Sequence, residues 1–220
     1  INQNGLWRYD MYEKFLALDE NKRDIILRAA LQEFGKYGYK KTSVEQIAES
    51  AGISKSMVFH YFGSKLSLFE FLASFTADFG ISISEKFLEN IEDLDYIGQY
   101  ERAAKIKLEA YRKNKEAFDF IGMLYLNPEN TLVSTRIKEE FNKNIKYRNK
   151  ILKILSSSKN DNFFRTDLNI DSSKKYINWI IDGYSAELTQ RLIGESISHK
   201  NFDEDWKDFG KMILDLKRLF

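Results

Sequence analysis

The sequence has no cysteine, one proline, 11 glycines and two histidines among its 220 residues. Without cysteine there can be no disulfide bond, no thiolate nucleophile and no cysteine-ligated zinc. His60 and His199 fit no metal-ligand or catalytic spacing. The phosphate-binding glycine loop, the dinucleotide-binding fingerprint and the HExxH sequence are also missing. We therefore expect a protein that is not an enzyme and that uses no cofactor.

Helix-breaking residues are scarce, whereas lysine, glutamate, leucine, alanine and isoleucine are abundant. This composition, without any strand-like alternation, predicts an all-α fold. No apolar run approaches the ~18 residues that cross a bilayer. Residues 1–10 lack the basic start and apolar block of a signal peptide. We expect a cytoplasmic protein with no membrane partner.

The net charge is only +1, but the charges are unevenly distributed along the chain. Residues 22–69 contain eight basic and four acidic side chains, which gives a local balance of +4. A basic region in an otherwise neutral chain indicates a partner that carries many negative charges.

The basic region has the pattern of one long helix followed by two short ones. The long helix is predicted to begin at Asp19 or Asn21 and to end at Gly38, because apolar residues recur between them at helical spacing. Thr42 and Ser43 are N-cap candidates for the first short helix, and acidic or amide side chains three residues later complete a capping box.

A glycine turn at Gly52 separates the two short helices, and Ser54 can cap the second, at about residues 55–62. Apolar side chains occupy the inward positions Ala48, Ile53, Val58 and Phe62. The outward positions of the second short helix are polar or aromatic and include no acid: Lys55, Ser56, Phe59 and His60, with Met57 as a further candidate. A face that is merely solvated usually carries acids as well, so this pattern indicates a helix-turn-helix with a contact surface.

The stretch NKRDIILRAALQEFGKYGYKKTSVEQIAESAGISKSMVFHYFGSKLSLFEFL, at residues 21–72, resembles the DNA-binding region of TetR-type transcriptional regulators. The resemblance is carried by EFGKYGY, TSVEQIAESAGIS and HYFGSK. It implies a homodimer in which the second helix of each helix-turn-helix enters a major groove of a palindromic double-stranded DNA operator. It also implies a larger helical domain that binds a small effector and releases the DNA.

The resemblance further implies a role for individual side chains. Base edges would be contacted by Lys55, Ser56, Phe59 and His60, of which His60 could also contact a phosphate. Phosphates would be held by Thr42, Ser43, Tyr61 and Lys65. As alternatives, Tyr61 is a core aromatic and Lys65 a solvated lysine. Phe59 stands where the family commonly has tyrosine, and Met57 where it has a small residue or threonine, so the preferred DNA sequence stays open.

Amphipathic helices are predicted to follow near residues 81–93, 97–114, 115–126, 129–156, 171–195 and 203–219. Aromatic residues in these helices are ordinarily core residues, but a ligand cavity in a helical bundle uses the same residue types. We expect an apolar effector pocket with walls formed by Phe118, Tyr125, Phe141 and Trp179.

Dimerisation is expected on the last two predicted helices, as a four-helix bundle with two helices from each protomer. The sequence IIDGYSAEL contains small residues that permit close helix approach, and the last helix has an apolar stripe. The predicted interface comprises Gly183, Ala186, Phe209, Ile213 and Leu216. Alternatively, the stripe closes the core of a single protomer.

The expected architecture has an N-terminal extension at residues 1–20, a three-helix helix-turn-helix DNA-binding domain at 21–66, and a larger helical effector-binding and dimerisation domain at 67–220. The expected function is that of a repressor released from a palindromic operator by a small apolar or aromatic effector. A helical DNA-organising or protein-interaction module without an effector pocket is the alternative. Met11 resembles a native start, in which case residues 1–10 would precede it.

Overall fold

The predicted helix-turn-helix is present in the computed structural model, which describes residues 12–89, 91–126, 134–156, 164–193, 197 and 200–220. A short helix α1 (Glu13–Leu16) precedes α2 (Glu20–Lys41), α3 (Val44–Ser50) and α4 (Lys55–Phe62). Asp19, Ser43 and Ser54 cap the three longer helices by accepting backbone N–H bonds from three residues further on. These caps agree with the sequence pattern, whereas Met11 and the residues before it lie outside the described residues.

Gly38 interrupts α2 near its end, because its φ of 70° and ψ of 173° are not helical. The regular helix therefore stops at Tyr37, as predicted, and the following turn leads into α3.

The remaining described residues form helices joined by turns and irregular segments, and no strand occurs among them, which confirms the all-α prediction. The helices are α5 (Lys65–Leu88), α6 (Tyr96–Lys113), α7 (Lys115–Leu126), α8 (Thr135–Ser156), α9 (Ile170–Leu192) and α10 (Asp203–Leu219), with a 3-10 turn at Ile91–Asp93. The predicted start of α8 at residue 129 and end of α9 at residue 195 lie outside the described residues.

The predicted separate helix at residues 81–93 is wrong, because α5 continues through Gly80 to Leu88. Gly80 lies against α8, where an added Cβ would be 3.3 Å from Asn144 Oδ1. The close approach of α8 gives this glycine a packing role within the helix.

Helix α5 also corrects the expectation about apolar runs. Among the described residues it is the one helix that is long and apolar enough to cross a membrane by length and composition. However, 44% of its apolar window is buried inside the protein, and Leu68, Phe69 and Leu72 are core residues. A core helix passes the same test, so α5 is weak evidence for a membrane span.

Two compact units divide the chain. The first combines the described residues up to Asp78 with those from Lys115 to Phe141. Its core includes Phe34, Phe69 and Phe120, whose ring centroids are 4.9 to 6.5 Å apart. Helix α7 packs closely on α2, since a Cβ added at Gly35 would lie 3.0 Å from Asp119 Cβ. These units are defined by packing, whereas the predicted boundary at residue 66 separates a DNA-binding domain from an effector-binding domain. That functional boundary stays a prediction.

The second unit combines Phe79–Asn114 with the described residues from Asn142 onward. Its main core joins α6, α9 and α10 through Tyr96, Ile97, Ile177, Ile181, Phe209, Ile213 and Leu216. The predicted interface residues Phe209, Ile213 and Leu216 are thus buried in their own protomer and unavailable to a second copy. These three residues therefore fit the alternative interpretation, in which the apolar stripe of the last helix closes the core of its own protomer.

Candidate nucleic-acid interface

Helix α4 exposes one side and buries the other. Val58, Tyr61 and Phe62 are buried, whereas the outward residues predicted to contact bases are all exposed: Lys55, Ser56, Phe59 and His60. Phe59 is 39% exposed and Met57 38%, although both are large and apolar. The structure therefore brings the four predicted base-contacting side chains together on one solvent-facing surface.

Lys55 has a partner on the neighbouring helix. Its ammonium group donates to the carboxylate of Glu45 on α3 and lies 5.9 Å from the centroid of the Phe59 ring. The hydrogen bond from Lys55 lowers the pKa of Glu45 below its usual range. Although α4 contains no acid, α3 thus supplies one, and any other hydrogen-bond acceptor would compete with Glu45 for this lysine.

The hydroxyl groups at the start of α4 are close together. Ser54 Oγ accepts from the backbone N–H of Met57 at 3.3 Å and lies 2.8 Å from Ser56 Oγ. Because Ser56 is exposed and its hydroxyl can rotate, it can offer a hydrogen to Ser54 or to an incoming acceptor.

Two of the predicted phosphate-contacting residues, Ser43 and Lys65, lie at helix starts. Ser43 Oγ accepts from the Gln46 N–H at 3.1 Å, and Gln46 Oε1 accepts from the Ser43 N–H at 2.9 Å. The Lys65 ammonium lies 4.7 Å from the centroid of the Tyr39 ring, and partial burial lowers the pKa of Lys65. Both residues suit anion binding, because unpaired N–H groups and the helix dipole favour negative charge there.

The other two predicted phosphate contacts, Thr42 and Tyr61, are not presented to solvent. Thr42 is 2% exposed, and its hydroxyl lies 2.8 Å from the Gly38 carbonyl and 3.0 Å from that of Glu33. The Tyr61 ring is buried and packs against Phe15. We therefore leave Thr42 and Tyr61 out of the proposed interface, and Tyr61 fits the alternative of a core aromatic.

Some contributors to this surface were not predicted from the sequence. Glu45, which pairs with Lys55, and Tyr39, whose ring lies beside the Lys65 ammonium, are the two examples. Exposed lysines also follow one another at the end of α2: Lys36, Lys40 and Lys41. Their dense spacing in GKYGYKK is a signal that the sequence did contain.

The four predicted effector-pocket residues do not form one group. Tyr125 and Phe141, in the first unit, have ring centroids 4.6 Å apart, although Tyr125 is itself 38% exposed. The half-buried Phe118 belongs to the same unit. Trp179, on α9 in the second unit, is 59% exposed. A side chain this exposed is not the wall of a closed cavity, so Trp179 is removed from the predicted pocket.

Trp179 instead belongs to an exposed apolar strip on α9. We call the α9 strip the residues Tyr176, Trp179, Ile180, Gly183 and Ala186, all of which are exposed. Their spacing of three and four residues places them on one side of the helix, away from the buried Ile177 and Ile181. Gly183 and Ala186, predicted for the dimer interface, are therefore accessible to a partner.

A family model described as bacterial regulatory proteins, tetR family, matches residues 26–72, which include α3 and α4. The helix-turn-helix region of the chain is therefore of the TetR type. The HTH-type transcriptional regulator RutR of Escherichia coli strain K12 is 36% identical over 96 residues, which are 44% of this chain and 44% of RutR. The alignment with this TetR-family relative thus spans less than half of its length.

Likeness to other TetR proteins extends further along the chain. The HTH-type transcriptional repressor AcnR of Corynebacterium efficiens is 25% identical over 187 residues, covering 81% of this chain and 87% of AcnR. The crystal structure of AibR in complex with isovaleryl coenzyme A and operator DNA has a similar fold. Its TM-score is 0.57, with 16% identity over 88% of this chain and 96% of the AibR chain. The TetR-like fold therefore includes both compact units.

Proposed function

We propose that the chain is a transcriptional repressor that binds a palindromic operator as a dimer. The observation that carries the proposal is the exposed α4 surface, with Lys55, Ser56 and Phe59 side by side and no acid on that helix. A lysine can donate to guanine O6 and N7, a serine can bond to any base edge, and a phenylalanine can pack on a thymine methyl. Helix α4 would enter the major groove with these side chains foremost.

Phosphate contacts would orient α4 in the groove. Ser43 and Lys65 begin the helices on either side of α4, and the lysines at the end of α2 add positive charge. Such contacts supply sequence-independent affinity and fix the register of the protein on the duplex.

The α9 strip would form the centre of a two-fold interface. Its exposed aromatic side chains favour an apolar partner, and Gly183 allows another helix to approach closely. In a two-fold dimer the same strip is used by both copies. The dimer would present two α4 helices to half-sites about 34 Å apart, or a multiple of that distance.

A small apolar or aromatic effector would release the protein from DNA. AibR was crystallised with both isovaleryl coenzyme A and operator DNA, and its fold is shared here. The Tyr125–Phe141 pair is the part of the predicted pocket that remains, and Phe118 belongs to the same unit. An effector with unequal affinity for the two separations of the DNA-binding heads shifts their populations. This role requires no catalysis, and it places the protein in the cytoplasm with the DNA.

The proposal is tested by selecting duplexes from random and genomic DNA on the purified protein at near-physiological salt. A palindromic motif with half-sites about one helical turn apart is expected. In the selected genomic fragments, the genes beside that motif are the ones that the protein regulates. The products of these genes suggest small molecules to test for release of the protein from DNA. A folded, dimeric protein that enriches no sequence would contradict the proposal and would favour a protein-interaction module.

A further inference from the structure

Helix α1 and its N-cap residue Tyr12 lie before the matched family region and contribute two of the most deeply buried side chains in the structure. Tyr12 and Phe15 are each 1% exposed, although the family model begins only at residue 26. They join three rings from α4 and α5 in what we call the aromatic cluster: Tyr12, Phe15, Tyr61, Phe62 and Phe71. The first unit is therefore incomplete without this N-terminal segment.

The aromatic cluster supports α4 from the side opposite its exposed surface. The Phe15 ring centroid lies 4.8 Å from that of Phe62 and 6.3 Å from that of Tyr61. The Tyr12 and Phe62 centroids are 6.0 Å apart. Since α4 buries only Val58, Tyr61 and Phe62, two of its three buried side chains pack on α1.

Helix α1 is itself fixed to the neighbouring helices. The Tyr12 hydroxyl donates to the Ser67 carbonyl of α5 at 3.1 Å. Arg23 of α2 donates from Nη1 to the Leu16 carbonyl at 2.8 Å. The Phe15 and Phe71 rings meet edge to face at 5.4 Å. The segment is therefore anchored on two helices while its rings contact a third.

The buried and exposed sides of α4 are adjacent in sequence. Tyr61 and Phe62 directly follow Phe59 and His60, and the His60 and Tyr61 ring centroids are 5.6 Å apart. A helix of eight residues is too short to be stable by itself. Its orientation is therefore set by what packs against its buried side.

We propose that Tyr12 and Phe15 are positioning residues for base contact by α4, an inference that rests on the proposed function. Hydrogen bonds to bases need donor and acceptor within about 2.7–3.2 Å, whereas attraction between a lysine and a phosphate declines slowly with distance. A small displacement of α4 therefore lowers affinity for the operator more than affinity for unrelated DNA.

The test compares two probes, a duplex selected by the wild-type protein and a scrambled duplex of the same length. Phe15→Ala should lower the ratio of the two affinities by about tenfold or more, the size of one lost base contact. Phe15→Leu, which restores apolar volume, should recover part of that ratio. The matched control is Phe87→Ala, which removes another buried ring from the second unit.

An equal fall in affinity for both probes, as expected for Phe87→Ala, would overturn the proposal in favour of simple destabilisation. If Phe15→Ala does not fold, the proposal is tested instead by measuring amide hydrogen exchange in the Phe15→Leu variant. If the substitution increases the amide exchange rate over that of the wild-type protein more in Lys55–Phe62 than in α2, the proposal is supported. If the exchange rate in Lys55–Phe62 equals that of the wild-type protein, the proposal is overturned. If the wild-type protein selects no duplex, the proposed function fails, yet the exchange experiment still decides what α1 does to α4.

Discussion

Two exposed helix surfaces, one on α4 and one on the α9 strip, both present aromatic side chains to solvent but differ in their neighbours. On α4, Phe59 lies beside Lys55, whose ammonium approaches its ring, and the exposed side chains of the same helix include Ser56, Met57 and His60. On α9, Trp179 lies beside Tyr176, with ring centroids 5.8 Å apart, and the Lys175 ammonium is 4.9 Å from the centroid of the Trp179 ring. Small residues follow one turn later. Both exposed aromatic side chains thus have a lysine beside them, and the two surfaces differ in the other side chains nearby: Ser56 and His60 on α4, apolar and small residues on α9.

This difference indicates what kind of partner each surface suits. A highly charged duplex is bound where cations and hydrogen-bond donors surround the aromatic group. A second copy of the same helix is bound where apolar side chains meet small ones. Four substitutions can separate the two surfaces, and we describe them from the largest expected effect to the smallest.

Trp179→Glu should dissociate the dimer. Burial of a tryptophan at the centre of an interface is commonly worth 2 kcal/mol or more, and a two-fold interface contains it twice, so dimer affinity should fall by about a thousandfold. Sedimentation equilibrium over a range of protein concentrations measures this change.

The control for Trp179→Glu is Ile25→Glu, which introduces the same charge at an exposed apolar position of α2. Ile25→Glu should leave the dimer intact. Equal dimer affinity for the wild-type protein and Trp179→Glu would exclude the α9 strip from the interface.

Lys55→Ala should change which sequences the protein selects. Loss of a lysine that bonds to guanine costs about 1–3 kcal/mol of discrimination at one base pair, while the rest of the motif is retained. Repeating the DNA selection with the variant gives the answer, and an unchanged motif would remove Lys55 from the base-contacting residues.

Lys65→Ala should weaken binding to every sequence by a similar factor. Because one phosphate contact is lost, the slope of log affinity against log salt should become shallower by about one unit per protomer. Titrations at several salt concentrations, with selected and scrambled duplexes, check both expectations. If the slopes of the Lys65→Ala variant equal those of the wild-type protein, Lys65 is only a solvated lysine.

Glu45→Gln should strengthen DNA binding severalfold, the smallest of the four effects, because Lys55 loses its competing partner. Removing any acid near DNA also strengthens binding, so the matched control is Glu49→Gln, one turn further along α3 and also exposed. A larger gain for Glu45→Gln than for Glu49→Gln is expected. Identical gains would show that the ion pair does not hold Lys55 back.

Local features of the fold were predictable from the sequence. Asp19, Ser43 and Ser54 cap their helices because each offers a side-chain oxygen to N–H groups three residues ahead. The ends of α4 follow from Ser54 and from Gly63, whose φ of 73° suits a helix end. Such signals are contained within a few consecutive residues.

Contacts between distant residues were not predictable in the same way. The continuation of α5 through Gly80 depends on packing that overrides a cost of about 1 kcal/mol for glycine in a helix. The pairing of Lys55 with Glu45, and of Phe15 with Phe62, joins separate helices whose mutual placement no local pattern specifies. Likewise, an apolar stripe predicts which side of α10 is covered, but not by what.

The approach of α2 and α7 at Gly35 has a mechanical consequence. With only a hydrogen atom on Gly35, and Asp119 Cβ 3.0 Å from where a methyl group would be, no rotatable side chain at this position separates the two backbones. A rotamer change here cannot absorb a displacement, so a shift of either helix along this contact must carry the other with it. Any residue larger than glycine at position 35 would act as a wedge and would set a new distance between the two helices.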